Sequence, residues 1–415
     1  MSIKTKQTLK LFSGFIVLLF LGTTLAWSVF LVPVETTFGW SRSQTSLAAT
    51  VNTMAFSIGS ILTGIMCKKV SFSNILRITG VMLFAGFFLA SLMQPGCSIM
   101  MLYMTYGLLI GTSIGMGYNC ILSVCPLWMS DKPATANGIL LMGYAFSTAI
   151  FAPVINSLIV LTESVTFVFK ILGILCGAGI FVFSFLIRIP DLTELKQLPQ
   201  RDRNANKKDY NVITYEMIKM PLFWIYYIIT ILLPGVGLAL INHNSPILTE
   251  LGATPTFAAF IVSLCAICNG LARFIFGFIF DKLGVSKSLV IITTVFVVAI
   301  SVIFLGYLTT SIPLYVLGAC SLLVGFGFNA TSMPSILREL FGHRTFSLNY
   351  SVLGTDAFIT AWFGTIVGAI QTGTGNYSVA LIVLAVLTYS TVLFVAIFFA
   401  LYKKEMKKRN VETVD

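Results

Sequence analysis

Arg273 is the residue of this sequence whose type and position point most directly to chemistry, because it lies inside a long apolar stretch. A mid-helix arginine costs about 2.5–3.5 kcal/mol on membrane insertion scales, so its side chain should face protein or water. The guanidinium is a planar fork that matches a carboxylate, and Asn269 lies one helical turn earlier on the same face. Two roles stay open at this point: binding a substrate carboxylate, or a structural pairing with an acid or a helix end.

Asp356 is the only acid well inside a predicted membrane span. Acids inside membrane segments commonly mark proton relays, ion pairs or ligand sites. Three roles remain open for it: a proton site, an ion-pair partner of Arg273, and a packing role against another helix. A fourth possibility makes Asp356 the anchor of a cationic solute.

The remaining reactive side chains do not form a recognisable catalytic or metal pattern. The eight cysteines have no framework spacing and read as small buried hydrophobic residues. The pair Cys265 and Cys268 lies on one helix without a second pair, which disfavours a metal or redox site. We expect His243 to be an interfacial or loop-capping residue. The sequence shows no serine–histidine–aspartate arrangement and no Walker loop, so we expect no enzyme activity, no cofactor and no metal.

Composition determines which elements must position these residues. The chain is 57% hydrophobic and 10% charged, whereas soluble domains carry about 25% charged residues. This excludes a soluble enzyme and a nucleic-acid binder. A bilayer needs about 20 apolar helical residues per span, and twelve stretches qualify. The predicted spans are 11–34, 45–67, 74–94, 98–125, 134–160, 164–187, 222–243, 255–280, 286–308, 313–336, 346–371 and 377–402.

The positive charges predict the orientation of these spans. Most of the 26 lysines and arginines lie in the N-terminal segment, the even-to-odd loops, the central segment and the C-terminal tail, and Arg42 lies on the opposite side. Basic loops stay on the cytoplasmic side. We therefore predict a multi-pass protein of the cell membrane with both termini in the cytoplasm. The net charge of +11 is read as a topology signal, and no nucleic-acid partner is expected.

Internal similarity predicts two halves. The stretch from Pro33 to Gly39 resembles 246–252, and the stretch from Gly115 to Asn119 resembles 325–329, in the same order along the chain. We predict an all-α membrane protein with two pseudo-symmetric six-helix bundles, which is a transporter architecture. The predicted domains are an N-terminal bundle over 1–187, a cytoplasmic linker over 188–221 and a C-terminal bundle with a short tail over 222–415. The stretch 200–209 is predicted to be solvated, and 215–219 to be a short surface helix.

Three motifs carry a resemblance to a known family. They are AWSVF at 26–30 with FGWS at 38–41, YEMIKMPLFW at 215–224, and NGLAR at 269–273 leading to Gly277 and DKLG at 281–284. The chain resembles the major facilitator superfamily, and within it the oxalate/formate-antiporter-like branch, a relative of the monocarboxylate transporters. The resemblance covers essentially the whole chain. It implies that Arg273 faces a central cavity and binds the substrate carboxylate.

The resemblance also implies further site residues. Three aromatic side chains match cavity positions of the family, and the tryptophan of the first motif joins them: Tyr118, Tyr144, Phe326 and Trp27. Ordinary helix packing is the alternative role for each of these aromatics. Asn269 joins Arg273, whereas Asn119 and Asn329 either line the cavity or hold helices together. Gly277, Asp281 and Lys282 are expected to act in gating, with a plain charged turn as the alternative.

This sequence departs from the oxalate type of the family at two positions. Ala357 stands where that type carries a lysine, and Leu25 stands where a tyrosine is common. One arginine suits one carboxylate, so a monocarboxylate is favoured over oxalate.

We therefore predict a secondary transporter that moves a small organic carboxylate by alternating access, coupled to protons or to anion exchange, with a monomer favoured. The alternative is an efflux transporter for a drug-like or cationic solute anchored by Asp356. A non-transporting receptor on the same fold is a third class.

Overall fold

The computed structural model describes residues 2–198 and 211–408. Within these ranges every regular element is a helix. Eleven apolar helical runs are long enough to cross a membrane, and the run Phe260–Leu308 contains two spans because its backbone breaks at Gly284. The predicted all-α architecture of twelve membrane spans is thereby confirmed. The stretch 200–209 lies outside the described residues.

The chain divides into two compact units, and the first comprises Met1–Arg201 together with Phe346–Thr355. Its six membrane spans are built from helical segments that follow one another with few breaks. The α-helices are Ile3–Leu21, Trp27–Phe38, Arg42–Met66, Phe72–Ala90, Ile99–Leu102, Gly111–Val124, Pro133–Thr162, Val165–Leu172 and Ala178–Ser184; 3-10 turns lie at Gly22–Ala26 and Cys125–Met129, and π-helical turns at Tyr103–Ile110 and Gly173–Gly177. A helical run thus extends from residue 3 to residue 38, because the 3-10 turn continues the helix. Its membrane span is Ile3–Ala26, against the predicted 11–34.

The second unit comprises Asp202–Thr345 and Asp356–Asp415. Its α-helices are Thr214–Met217, Pro221–Glu250, Pro255–Leu308, Ile312–Phe341, Ala357–Thr374 and Ser378–Lys408. The eleventh span begins with Phe346–Leu353, which belongs to the first unit, and passes through a 3-10 turn at Gly354–Asp356. The short helix Thr214–Met217 starts one residue before the predicted surface helix.

Gly284 separates the eighth span from the ninth. Its φ of 73° and ψ of −170° lie in a region that only glycine adopts without strain. Residues on both sides of it continue as helix, so one glycine replaces a loop. The DKLG motif therefore ends on the residue that the turn requires.

Backbone-to-backbone packing joins the second and fourth spans in the first unit. A Cβ atom on Gly59 would lie 1.9 Å from Thr112 O, and one on Gly115 would lie 1.8 Å from Phe56 O. Small residues allow such close approach in membranes. This contact sets the position of the two residues that follow Gly115 by one turn, Tyr118 and Asn119.

An ion-pair cluster around the buried carboxylate of Glu194 fixes the segment after the sixth span to the start of the first span. Glu194 Oε2 and Oε1 accept bonds of 2.8 Å from Arg188 Nη1 and Nη2, and Lys6 Nζ lies 2.7 Å from Glu194 Oε1. Hydrogen bonds from Arg188, Lys6 and the Asp191 backbone N–H lower the pKa of Glu194 to about 2. The carboxylate is consequently ionised at neutral pH and ties the two segments together.

Candidate functional site

The second unit holds Arg273 in a buried position on the eighth span, with 7% of its surface exposed. Arg273 Nε donates to Asn269 Oδ1 at 3.3 Å, so the i,i+4 pair predicted from spacing does form. Thr331 Oγ1, on the tenth span, donates to Arg273 O at 3.0 Å. Asn269 also lies against the tenth span, because a Cβ on Gly327 would be 2.5 Å from Asn269 O. Both residues thus lie on the contact line between these two spans, hereafter the 8–10 seam.

The tenth span carries the other two candidates of this unit. Phe326 packs its ring against the seventh span, where a Cβ on Gly237 would lie 2.3 Å from Phe326 Cδ2. Asn329 is 5% exposed, and its carbonyl accepts a hydrogen bond of 2.9 Å from Ser332 Oγ. The structure therefore brings Phe326 to the seventh span and leaves Asn329 inside the helix packing.

Asp356 is buried in the second unit, with 6% of its surface exposed. It ends the 3-10 turn within the eleventh span. The Thr230 side chain and the backbone N–H of Ala357 lie beside its carboxyl group, and the Thr230 hydroxyl donates to Tyr227 O at 2.9 Å. Thr230, on the seventh span, was missed by the sequence reasoning; its only signal was a hydroxyl in the middle of an apolar helix.

The first unit brings Tyr118 and Tyr144 together. Their ring centroids are 5.2 Å apart in an edge-to-face arrangement, and Phe56 meets Tyr118 at 5.2 Å in the same way. Edge-to-face pairs of this kind hold ring orientations fixed. The fourth and fifth spans thus present two phenols side by side, and Phe56 is an additional member that the sequence did not indicate.

Trp27 lies beside a different aromatic partner. Its ring stacks on Tyr106 with a centroid distance of 4.0 Å, and 6% of the residue is exposed. Among the residues that the structure describes, the indole N–H of Trp27 has no hydrogen-bond acceptor. Buried donors are nearly always satisfied, so this N–H is a candidate donor to a bound solute.

Asn119 is fully buried, and serines surround its amide. The two N–H groups of Nδ2 have four acceptor oxygens within hydrogen-bond distance: the Ser60 carbonyl and hydroxyl at 2.9 Å each, Ser347 O at 3.0 Å and Ser351 Oγ at 2.9 Å. Oδ1 accepts from Ser123 Oγ at 3.0 Å and from Ser347 Oγ at 2.9 Å. Of the two roles left open by the sequence, these contacts fit the joining of helices.

The predicted gating residues lie at one end of the eighth span. Gly277 is buried, Asp281 is half-buried and Lys282 is exposed. Gly64 aligns with Gly277 at the same offset as the 33–39 and 246–252 repeat. It is closely packed, since a Cβ there would lie 2.5 Å from Ser351 Oγ. Gating by these residues stays a prediction. In the described part of the chain, no group of three or more histidine, cysteine or acidic side chains could hold a metal ion.

Sequence comparison identifies relatives over nearly the whole chain. The sequence model of the Major Facilitator Superfamily matches residues 12–249 and 235–414. The oxalate:formate antiporter of Oxalobacter formigenes is 24% identical over 372 residues, which cover 89% of this chain and 85% of the relative. Monocarboxylate transporter 12 of Rattus norvegicus is 25% identical over 427 residues, covering 92% of this chain and 83% of the relative.

Solved structures share the fold. The proton:xylose symporter XylE superposes with a TM-score of 0.69 at 11% identity, covering 95% of this chain and 96% of that one. The transporter FucP in its outward conformation gives a TM-score of 0.62 at 13% identity, covering 96% and 99%. These similarities confirm the predicted fold.

Proposed function

We propose that this protein, which belongs to the Major Facilitator Superfamily, transports a small organic monocarboxylate. The chain falls in the branch of the oxalate:formate antiporter and the monocarboxylate transporters, and it is a multi-pass membrane transporter of small molecules. The observation that carries the proposal is the buried guanidinium of Arg273, oriented by the bond from its Nε to Asn269. A guanidinium held in this way binds a carboxylate through its terminal amino groups.

The names of the relatives support a carboxylate as the transported solute. The side chains of this sequence indicate how many carboxylate groups that solute carries. Ala357 supplies no second cation, so the site suits one carboxylate better than two. In the first unit we propose as solute contacts the rings of Tyr118 and Tyr144 and the indole N–H of Trp27, which has no acceptor among the described residues. Alternating access then exposes the loaded site to each side in turn, with Gly277, Asp281 and Lys282 acting in the gate.

Asp356 is the candidate for coupling. Its carboxyl lies in a buried place beside the Thr230 side chain, where a proton can be carried during the cycle. Proton symport requires that uptake respond to a pH gradient and that Asp356→Asn remove this response. Anion exchange requires uptake that depends on an internal anion and is insensitive to the gradient.

Transport in proteoliposomes tests the assignment of Arg273. Arg273→Ala is expected to abolish uptake of labelled formate, lactate or pyruvate, and Arg273→Lys to retain a small part of it because lysine keeps the charge but not the fork. The matched control is Arg344→Ala, which removes an exposed arginine of the same unit and should leave uptake unchanged. Full uptake by Arg273→Ala, with normal insertion, would contradict the proposal.

Efflux of a cationic solute is the second candidate, and the buried carboxyl of Asp356 favours it. In this case Asp356→Asn would abolish transport of a lipophilic cation, and carboxylates would neither compete with it nor raise the melting temperature of the purified protein. Stabilisation by a carboxylate follows from mass action and would exclude this candidate in favour of the first.

A further inference from the structure

Three thiols meet on the 8–10 seam, at a site that the proposed transport function does not use. Cys265 Sγ, on the eighth span, lies 3.5 Å from Cys320 Sγ, on the tenth span. Cys268 lies within hydrogen-bond reach of the same Cys320 thiol. Cys265 is 3% exposed, whereas Cys268 and Cys320 are half-buried. All three are free thiols.

The register of the seam explains why these thiols face each other. Further along the same two helices, Asn269 meets Gly327 and Arg273 meets Thr331. Both helices run in the same direction, so their facing residues advance together from the thiols to Arg273. Eight helical residues at about 1.5 Å each separate Cys265 from Arg273, which places the thiols roughly 12 Å along the helix from the proposed binding site.

We propose that Cys265 and Cys320 form an oxidative modification site. A small neutral hydroperoxide, such as hydrogen peroxide, oxidises the two thiols to a reversible disulfide between them. A disulfide needs sulfur atoms about 2.0 Å apart, so the pair must close by about 1.5 Å. The third thiol, Cys268, competes with Cys265 as the disulfide partner of Cys320.

The chemistry takes two steps and balances with the peroxide as oxidant. The half-buried Cys320 sulfur attacks one peroxide oxygen, an S–O bond forms, the O–O bond breaks, and the departing hydroxide leaves as water with the thiol proton. Cys265 sulfur then attacks the sulfenic sulfur of Cys320, so that the S–S bond forms and the S–O bond breaks, with a second water leaving. Two thiols lose two electrons and hydrogen peroxide gains them.

Thiol counting on the purified full-length protein tests the site without reference to any transported solute. Mild peroxide treatment should lower the free thiols from eight to six, and peptide mass spectrometry should find Cys265 joined to Cys320 within one chain. A thiol reductant should restore all eight. The oxidised protein should melt several degrees higher, because the cross-link constrains the unfolded chain.

Serine variants make the result specific. Cys320→Ser should lose no thiol pair, because both alternative links need Cys320. Cys268→Ser, which removes only the competing thiol, and the control Cys97→Ser, at a half-buried cysteine of the first unit, should each still lose one pair. A wild-type link between Cys268 and Cys320, a link between two chains, or no link while the thiols react with a neutral alkylating reagent would each overturn the proposal. Transport failure of Arg273→Ala would not bear on it.

Discussion

Arg273 and Asn119 are both buried polar residues, yet their surroundings separate solute binding from packing. Both the nitrogen and the oxygen of the Asn119 amide form hydrogen bonds with serines of neighbouring helices. This is expected where no water can satisfy a polar group. Arg273 has its Nε fixed by Asn269, which orients the part of the guanidinium that recognises carboxylates. Asp356 resembles Arg273 in being buried beside one defined side-chain partner, Thr230.

Removal of the Asn119 amide should reduce stability. Asn119→Ala removes the acceptor of the Ser123 and Ser347 hydroxyls and the amide donor to the Ser60 and Ser351 hydroxyls. Leaving such buried groups unsatisfied costs about 1–3 kcal/mol. We expect a melting temperature several degrees lower in detergent, measured by intrinsic fluorescence. Asn74→Ala, which removes an exposed asparagine, is the control and should change little. An unchanged melting temperature combined with lost uptake would instead assign Asn119 to the binding site.

At the scale of elements, the apolar stretches predicted the helices well and their ends less well. About 20 apolar residues are enough to identify a span, and the twelve predicted spans are present. The sequence separated the eighth and ninth spans at 281–285, and the helical backbone breaks there at Gly284. Contacts such as Thr230 with Asp356 and Cys265 with Cys320 could not be predicted, because they depend on the rotation of each helix against a neighbour distant in sequence.

The break at Gly284 gives a sharp test. Gly284→Ala forces a side chain into a backbone region that costs about 1–3 kcal/mol, so we expect a clear loss of thermal stability. Gly373→Ala is the matched control, because a Cβ there would meet no atom within 4 Å. If both variants melt at the wild-type temperature, the described backbone at Gly284 is wrong.

The segment after the sixth span predicts a defined pH dependence. Because the pKa of Glu194 is lowered to about 2 in the folded protein, below the ordinary carboxyl value of 4.5, its stabilisation is complete above pH 4.5 and is lost as the pH falls toward 2. Glu194→Gln should therefore lower the melting temperature at pH 7, and this difference from wild type should shrink below pH 4.5.

Asp191→Asn serves as the control for this experiment. Asp191 pairs with the same Arg188 at 3.1 Å but is largely exposed, and exposed pairs contribute little. A difference between Glu194→Gln and wild type that stays constant from pH 7 to pH 3 would contradict the assigned ion pairs.

At the scale of the whole molecule, two compact units and two matches to one family model agree with the internal repeat seen in the sequence. Such a duplication can be detected as weak internal similarity of sequence and hydropathy, because both halves are built from the same pattern of membrane spans. The sequence did not reveal that Phe346–Thr355 clusters with the first unit, because this depends on serine contacts to Asn119.

Reporter fusions test the predicted orientation of both termini. A fluorescent protein that matures only in the cytoplasm should be bright when fused after residue 415. A phosphatase that is active only outside should be active when inserted in the short connection at 309–311, which separates the ninth span from the tenth. An active phosphatase at the C-terminus would reverse the proposed topology.

The position of Lys10 also has a consequence for biosynthesis. Lys10 is buried near the start of the first span, and its ammonium donates to the carbonyl of Leu186 at the end of the sixth. Cys125 and Trp128, which follow the fourth span, contact the same lysine. The ribosome makes the acceptor only after nearly half of the chain has been inserted, and domains complete their folding as units. The hydrogen bond from Lys10 to Leu186 O can therefore form only after the sixth helix has been synthesised, and the first helix is inserted without it.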